Sequence, residues 1–403
     1  MQSFESKRTC VICNSDESRL LYRQSFSVLS DGSSLLSTYD VVVCSKCGFC
    51  FADRIPQQTV FDKYYRDMSK YEKTDRGGQE TLYENLRFQK LARIISGFLQ
   101  SQETLIFEIG CANGQLLALL KDEGYKNVSG IDPSPVSAET AHRKYNINVS
   151  ANTLSDVKIN DGTVDFLLLV GVLEHVRDLT SALQTLRKML TANGKIFISV
   201  PDASRYADGE DAPYQEFSLE HINFFGSTSL TNLMMRNGFK LISSQQDIIE
   251  SNFRTTTPVI HGVYEKCEDS MPVSYPIDTI TEAGLIRYIQ QSNQVDIQIQ
   301  AAIDRMVSDG SPIIVWGTGA HTLRLLATSK LRQANIRAFV DSNPRYQGKE
   351  LNGVPIVSPH EIMEWPEPIL ISSRVYQEEI AGEIVNDLHM KNEIIRLYSY
   401  DRR

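Results

Sequence analysis

The chain has 403 residues, 41% hydrophobic and 23% charged, with a net charge of -9 and a pI near 5.4. That length exceeds what a single core sustains and implies two or three domains of ordinary globular composition. The acidic balance disfavours a nucleic-acid partner, no apolar run approaches the ~18–20 residues of a membrane span, and the start lacks a signal peptide's apolar core, so a cytoplasmic location is expected.

Cys10 and Cys13 form one Cys-x-x-Cys pair and Cys44 and Cys47 another. Two such pairs in turns match the ligands of a structural tetrahedral zinc site. Disulfides are the competing reading, disfavoured in a cytoplasmic chain. Cys50, three beyond Cys47, leaves the identity of the fourth ligand open. Four thiolates close the coordination sphere, so this zinc would be structural. Leu20–Phe26 and Tyr39–Val43 read as strands flanking a polar loop, Ser30–Ser34. Residues 51–80 are a polar, aromatic connector with Phe61, Tyr64, Tyr65, Tyr71 and Gly77-Gly78. An amphipathic helix starting at Leu82 follows, with Leu91, Ile94, Ile95 and Phe98 on its apolar side.

The pattern then turns to alternating strands and helices. Leu105–Phe107 reads as a strand, Glu108-Ile109-Gly110-Cys111-Ala112-Asn113-Gly114 as a turn, and Gln115–Glu123 as a helix closed by Gly124. Gly110 and Gly114 allow a sharp turn and close approach of a ligand to bare backbone, and the helix start behind them presents unpaired N–H groups. Val128–Ile131 is a second strand. It ends in Asp132, 24 positions after Glu108, where a nucleotide-binding α/β unit places its ribose acceptor. Val164–Val170 is a buried strand, followed by Gly171-Val172-Leu173-Glu174-His175-Val176. Then come a helix with Leu179, Leu183, Leu186 and Leu190 on one face, an Asn193-Gly194 turn, and a strand from Lys195 to Val200.

The spacing Glu-x-Gly-x-x-x-Gly, with Asp132 behind it and the Leu-Glu-His-Val box, resembles the class I S-adenosylmethionine (SAM) methyltransferases over roughly residues 80–250. The resemblance implies their Rossmann-like α/β fold and SAM as cofactor. By position, Glu108 and Gly110 border the methionine part and Gly171 lies beneath it. Asp132 meets the ribose hydroxyls, Pro133 the adenine edge, and Asn152 or Thr153 the adenine amino group. Tyr71 corresponds to a tyrosine covering the cofactor.

Residues 203–218 read as an irregular insert, followed by Glu220-His221-Ile222-Asn223-Phe224-Phe225, Ser227 as a helix N-cap, and Gly238-Phe239 at that helix's end. In the resembled fold this insert sits over the mouth of the SAM site, so His221 with Glu220 is the first candidate base and His175 the second. Tyr206 and Tyr214 stand in reserve. Val259–Glu265 closes the domain as a strand, and Met271–Pro276 is a linker. A helix follows over Ile280–Val307. A second α/β unit then begins at Pro312, with Gly317-Thr318-Gly319-Ala320 after its first strand and Ile336–Val340 ending in Asp341. Ile369–Ile371 and Ile394–Leu397 are further strands with a helix between them. Gly317-x-Gly319 with Asp341 imitates a dinucleotide fingerprint, but Thr322 stands where the third small residue belongs.

The expected layout is a zinc-binding module (1–60), a SAM domain (61–270), and a C-terminal helix with a second Rossmann-like α/β domain (271–403). It resembles the sugar C-methyltransferases that act on nucleotide-linked deoxysugars. Departures at Gly171 and Ser218, where that family carries Asn and Tyr, leave O-methylation equally open. The implied partner is a small-molecule sugar or nucleotide sugar. The rival readings are a bifunctional protein whose last domain binds NAD, and a zinc-ribbon binding protein with a degenerate SAM domain.

Overall fold

The computed structural model describes residues 7–29, 35–67, 81–157, 159–252, 254–267 and 275–398. Tyr71, Gly77-Gly78, the loop Ser30–Ser34 and most of the 271–276 linker therefore lie outside the described residues.

Three sheets organise the chain. The first module contributes β1 (Ser18–Ser25), β2 (Thr38–Cys44) and β3 (Cys50–Asp53), with α1 (Gln58–Asp67) after them. The next segment supplies α2 (Leu82–Ser96), β4 (Leu105–Ile109), α3 (Gln115–Asp122), β5 (Asn127–Asp132), α4 (Pro135–Tyr145) and β6 (Asn148–Ala151). It continues through β7 (Val164–Val170), α5 (Leu179–Met189), β8 (Leu190–Pro201), β9 (Asn223–Phe224), α6 (Ser227–Arg236), β10 (Phe239–Asn252) and β11 (Thr255–Lys266). The last part holds α7 (Thr279–Asp309), β12 (Ile313–Trp316), α8 (Ala320–Thr328), β13 (Ile336–Val340), β14 (Glu350–Leu351), β15 (Val354–Val357), β16 (Ile369–Ile371), α9 (Gln377–Gly382) and β17 (Ile394–Arg396).

The central sheet runs β10-β11-β8-β7-β4-β5-β6. Strands β4 to β8 are parallel, and β11 pairs antiparallel with both β8 and β10. Leu167, Leu168 and Leu169 are fully buried, as expected for a strand covered on both faces. The entry into this domain is held locally: Thr81 N–H donates to Glu84 Oε2 at 2.8 Å and Glu84 N–H to Thr81 Oγ1 at 3.1 Å, a capping box for α2. The C-terminal sheet runs β14-β15-β13-β12-β16-β17, parallel except for the β14–β15 pair.

Several local expectations are corrected. Gly226, not Ser227, is the N-cap of α6, and Ser229 Oγ accepts from its N–H at 2.9 Å. Leu190 begins β8, and the Asn193-Gly194 turn lies inside that strand: its pairing with β7 jumps from Leu190 to Lys195, and a Cβ at Gly194 would lie 2.9 Å from Leu190 Cβ. The fourteen-residue strand β10 is an outer strand with mixed exposure, so it has no apolar run to announce it.

The modules share their interiors. One buried cluster joins Phe26 and Tyr39 of the first module to Phe217 of the insert, Leu285 of α7 and Phe339 of the last sheet. A second joins Cys10 and Phe51 to Leu167, Leu233 and Phe225 of the central domain. Truncating a buried Phe typically costs ~3–5 kcal/mol, so these seams fix the modules against one another.

Candidate active site at the meeting of two cavities

In the first module, Cys10 Sγ lies 3.4 Å from Cys47 Sγ, and Cys13 Sγ lies 3.4 Å from Cys44 Sγ. All four sulfurs fall within 4.8 Å of one another. A tetrahedron with ~2.3 Å metal–sulfur bonds has edges of ~3.8 Å, so the arrangement suits such an ion. Hydrogen bonding from the Cys47 thiol pulls Cys10 down to about 5, which favours a thiolate there. Cys50, left open as a ligand, is buried in β3 with its thiol toward Gly48 O at 3.5 Å. The fourth sulfur of the cluster is Cys47.

A cavity of about 400 Å³ opens at the carboxyl ends of β4, β5 and β7, within the range of small-molecule sites. Gly110, Asp132, Pro133, Asn152, Thr153 and Gly171 all line it. Gly110 and Gly171 have φ of +68°, and a Cβ at Gly110 would meet Val172 Cγ2 at 2.9 Å, so both the turn and the packing demand glycine. Asp132 is set by its own loop: Oδ2 accepts from Ala112 N–H and Oδ1 from Ser134 N–H, each at 2.9 Å. Burial raises its pKa against those amide bonds. Thr153 Oγ1 is engaged with Asp156 at 2.8 Å, leaving Asn152 as the adenine-side candidate of the pair.

Two motif residues stand behind this wall. Gly114 caps α3 at φ +76°, and a Cβ there would lie 3.0 Å from Ala141 Cβ. Its place is the close approach of α3 to α4. Glu108 is 3% exposed. Burial, then the charge of Asp132, pushes it up to about 8, and its Oε2 has no hydrogen-bond partner among the described residues.

A second cavity, about 360 Å³, lies alongside and shares Glu220 with the first. Its wall comes from every module: Leu29 from the first, Tyr64 from α1, Glu216 and His221 from the insert, and Thr318 and Tyr346 from the last domain. His175 lines the first cavity and His221 the second, with ring centroids 5.1 Å apart. His175 Nδ1 is 3.0 Å from both Tyr65 Oη and the Glu220 carbonyl oxygen. Glu220 Oε1 accepts from Tyr64 Oη at 3.2 Å, and Glu220 and His221 line the same cavity. The carboxylate beside His221 Nδ1 is Glu216, at 3.4 Å. Tyr206 and Tyr214, the reserve bases, are each 3% exposed in the aromatic packing beside Tyr288.

Residues 83–244 match the family described as "Methyltransferase domain". Residues 83–244 thus carry a SAM-dependent methyltransferase domain. Residues 310–395 match a second family, described as "C2185-like, N-terminal". A probable S-adenosylmethionine-dependent methyltransferase of Mycolicibacterium smegmatis is 23% identical over 137 residues, covering 34% of this chain and 52% of that protein. An uncharacterized methyltransferase of Staphylococcus carnosus is 28% identical over 182 residues, 45% of this chain and 83% of that protein. A tRNA U34 carboxymethyltransferase of Aliarcobacter butzleri is 26% identical over 163 residues, 37% of this chain and 51% of that protein. The chain thus spans about half the length of the first and third of these relatives. Gly110, Gly171 and Asp132 line the larger cavity, and Gly114 lies behind its wall against Ala141. Gln58, Tyr65, Glu216 and Tyr346 are wall residues that sequence reasoning missed, each from a stretch with no motif of its own.

Among the described residues no helix is long and apolar enough to cross a membrane.

Proposed function

We propose that the protein transfers the methyl group of SAM to a sugar or nucleotide-linked sugar, at oxygen or carbon, in polysaccharide or secondary-metabolite biosynthesis in the cytoplasm. The observation that carries this reading is the junction of two cavities, with His175 on one side, His221 on the other, and Glu220 shared. Such a wall lets a donor and an acceptor be held end to end.

The residues of the larger cavity suit SAM. Asp132 keeps lone pairs for ribose hydroxyls, Pro133 and Asn152 border the adenine, and Gly110 and Gly171 leave bare backbone at the methionine end. The unsatisfied Glu108 Oε2 lies one residue behind that turn. When bound, SAM supplies a methyl group made electrophilic by a positively charged sulfur. The chain's part is to hold an acceptor ~3–3.5 Å from that methyl and take its proton. His221, oriented by Glu216, is the proton acceptor; His175 is the alternative.

The smaller cavity suits a polyhydroxylated acceptor. Gln215, Ser218, Thr257 and Thr318 offer hydrogen bonds, and Tyr64 and Tyr346 offer ring faces. Asp211, Glu216 and Glu220 line it, and among the described residues no Lys or Arg does. A nucleotide's phosphates would therefore lie outside it, and the acidic wall also disfavours RNA. Asp341 Oδ2 accepts from Thr318 N–H at 3.1 Å and Oγ1 at 2.5 Å, and Oδ1 from Asn343 N–H at 2.9 Å. The two amide bonds match those of Asp132, but the Thr318 hydroxyl in addition occupies the oxygen that a dinucleotide ribose would use, so the last domain is read as an acceptor wall and not as an NAD site. Zinc held by Cys10, Cys13, Cys44 and Cys47 would be closed and structural, contributing folding free energy to its module.

Incubation with SAM and a panel of nucleotide sugars, followed by mass spectrometry, tests the reading. Methylation of a panel member is expected. Methylation of tRNA with the panel untouched would contradict it.

A further inference from the structure

The two loops that carry His175 and His221 are tied by a single buried cation from the first module. Arg8 is 6% exposed and its guanidinium lies over the Phe51 ring, 5.2 Å from the centroid. Its Nη1 donates to Ala52 O at 2.9 Å and Ile222 O at 3.0 Å. Its Nη2 donates to Asn223 Oδ1 at 2.9 Å and, at 3.4 Å, to Arg177 O. Asn223 carries the tie onward: its Nδ2 donates to Leu173 O at 2.8 Å and Val176 O at 2.7 Å. Those two carbonyls bracket His175. Ile222 N–H donates to Glu174 O at 2.8 Å, and β9 itself is the outer strand of the first module's sheet, pairing with β3.

A fork of this kind is specific to arginine. One planar group meets carbonyls of the module, of the His221 loop and of the segment after His175, which an ammonium could not span. Removing it takes a donor from three backbone carbonyls and the Asn223 amide oxygen, of which Ile222 O keeps the Ala52 N–H at 2.9 Å. The position of His221 relative to His175 is thereby set from outside the methyltransferase domain, by a residue two places before the first cysteine.

We propose that Arg8 and Asn223 are positioning residues that fix the separation and orientation of His175 and His221. Neither touches either cavity, so each acts through the loops it joins. This proposal rests on the functional reading only for its turnover arm.

The test uses the full chain with Arg8→Met and Asn223→Ala. Histidine-labelled NMR spectra read the imidazoles directly, without an acceptor. The signals of His175 and His221 should shift and titrate at changed midpoints in both variants, while exposed His142, His360 and His389 stay in place. SAM affinity should remain within ~3-fold of wild type. With a methylated acceptor in hand, kcat should fall ~10–100-fold with KM within ~3-fold, as for a misplaced but intact group. Should Arg8→Met fail to fold, Asn223→Ala decides on the same signals. Folded variants whose His175 and His221 signals stay at wild-type positions would overturn the proposal. A non-sugar acceptor would alter only the choice of turnover assay and leave the imidazole result standing.

Discussion

The two cavities share a wall but are built by opposite means. The larger one comes from consecutive strand ends of one sheet, with turns whose backbone conformations demand particular residues: Gly110 and Gly171 at φ +68°, and Asp132 held by two amides. The smaller one is assembled from six separate stretches that meet only because the modules share cores. A site dictated by local backbone chemistry can be read from a short motif. A site made by docking cannot, because its partners are hundreds of residues apart and each looks ordinary where it stands.

That contrast predicts different modes of failure. The largest effect should come from the first module. Cys44→Ser should unfold roughly the first 50 residues, because metal affinity in a small module is folding free energy. β9 and the acceptor cavity should go with it, while the SAM cavity survives. Proteolysis together with SAM titration checks this. A variant that keeps its module intact would remove zinc from the account. Next, His221→Ala should lower turnover ~10²–10⁴-fold with SAM affinity within a few-fold, and His175→Ala should be milder. Equal, wild-type turnover in both would clear both histidines of the base role.

Smaller effects sharpen the donor side. Glu108 is pushed up to about 8 from an ordinary 4.5. A folded value above the unfolded one means its stabilisation is complete below about pH 4.5 and is lost as pH rises through about 8. Apo wild type should therefore lose stability between pH 5 and pH 9, by roughly 5 kcal/mol at most. Denaturant midpoints for Glu108→Gln should lack that component. If wild type and variant lose stability in parallel, Glu108 is charged in the folded protein. Smallest of all, Tyr65→Phe removes one hydroxyl from His175 Nδ1 while the Glu220 carbonyl remains. It should change turnover only a few-fold and shift the alkaline limb of the pH profile, and a loss as large as that of His221→Ala would make the tyrosine itself the base.

Legibility in the sequence followed the same line. The β4–α3–β5 unit, β7, the strands β1 and β2 and the long helix α7 were readable, since each carries an apolar period and a chemical reason for its ends. Strand β3, four residues directly after the second cysteine pair, and β9, two residues within a loop, are too short to show a period. β3 exists because it pairs with β2, and β9 because it pairs with β3. Glu220 was matched to His221 by adjacency, whereas the Glu216 carboxylate beside His221 Nδ1 is brought by the fold of the insert and has no signal in the sequence. Tyr65 looked like any other aromatic of the connector, and what brings it to His175 is the docking of α1, which no local signal encodes. Arg8 looked like any surface cation near the start of the chain.

Binding of SAM tests the central claim most directly. Calorimetric titration of the full chain should give one site of micromolar affinity for SAM and for its demethylated product. Asp132→Ala should weaken both by roughly ten- to a hundredfold, the ~1.5–3 kcal/mol of a lost charge-assisted hydrogen bond. A well-folded wild type that takes up no SAM would contradict the account.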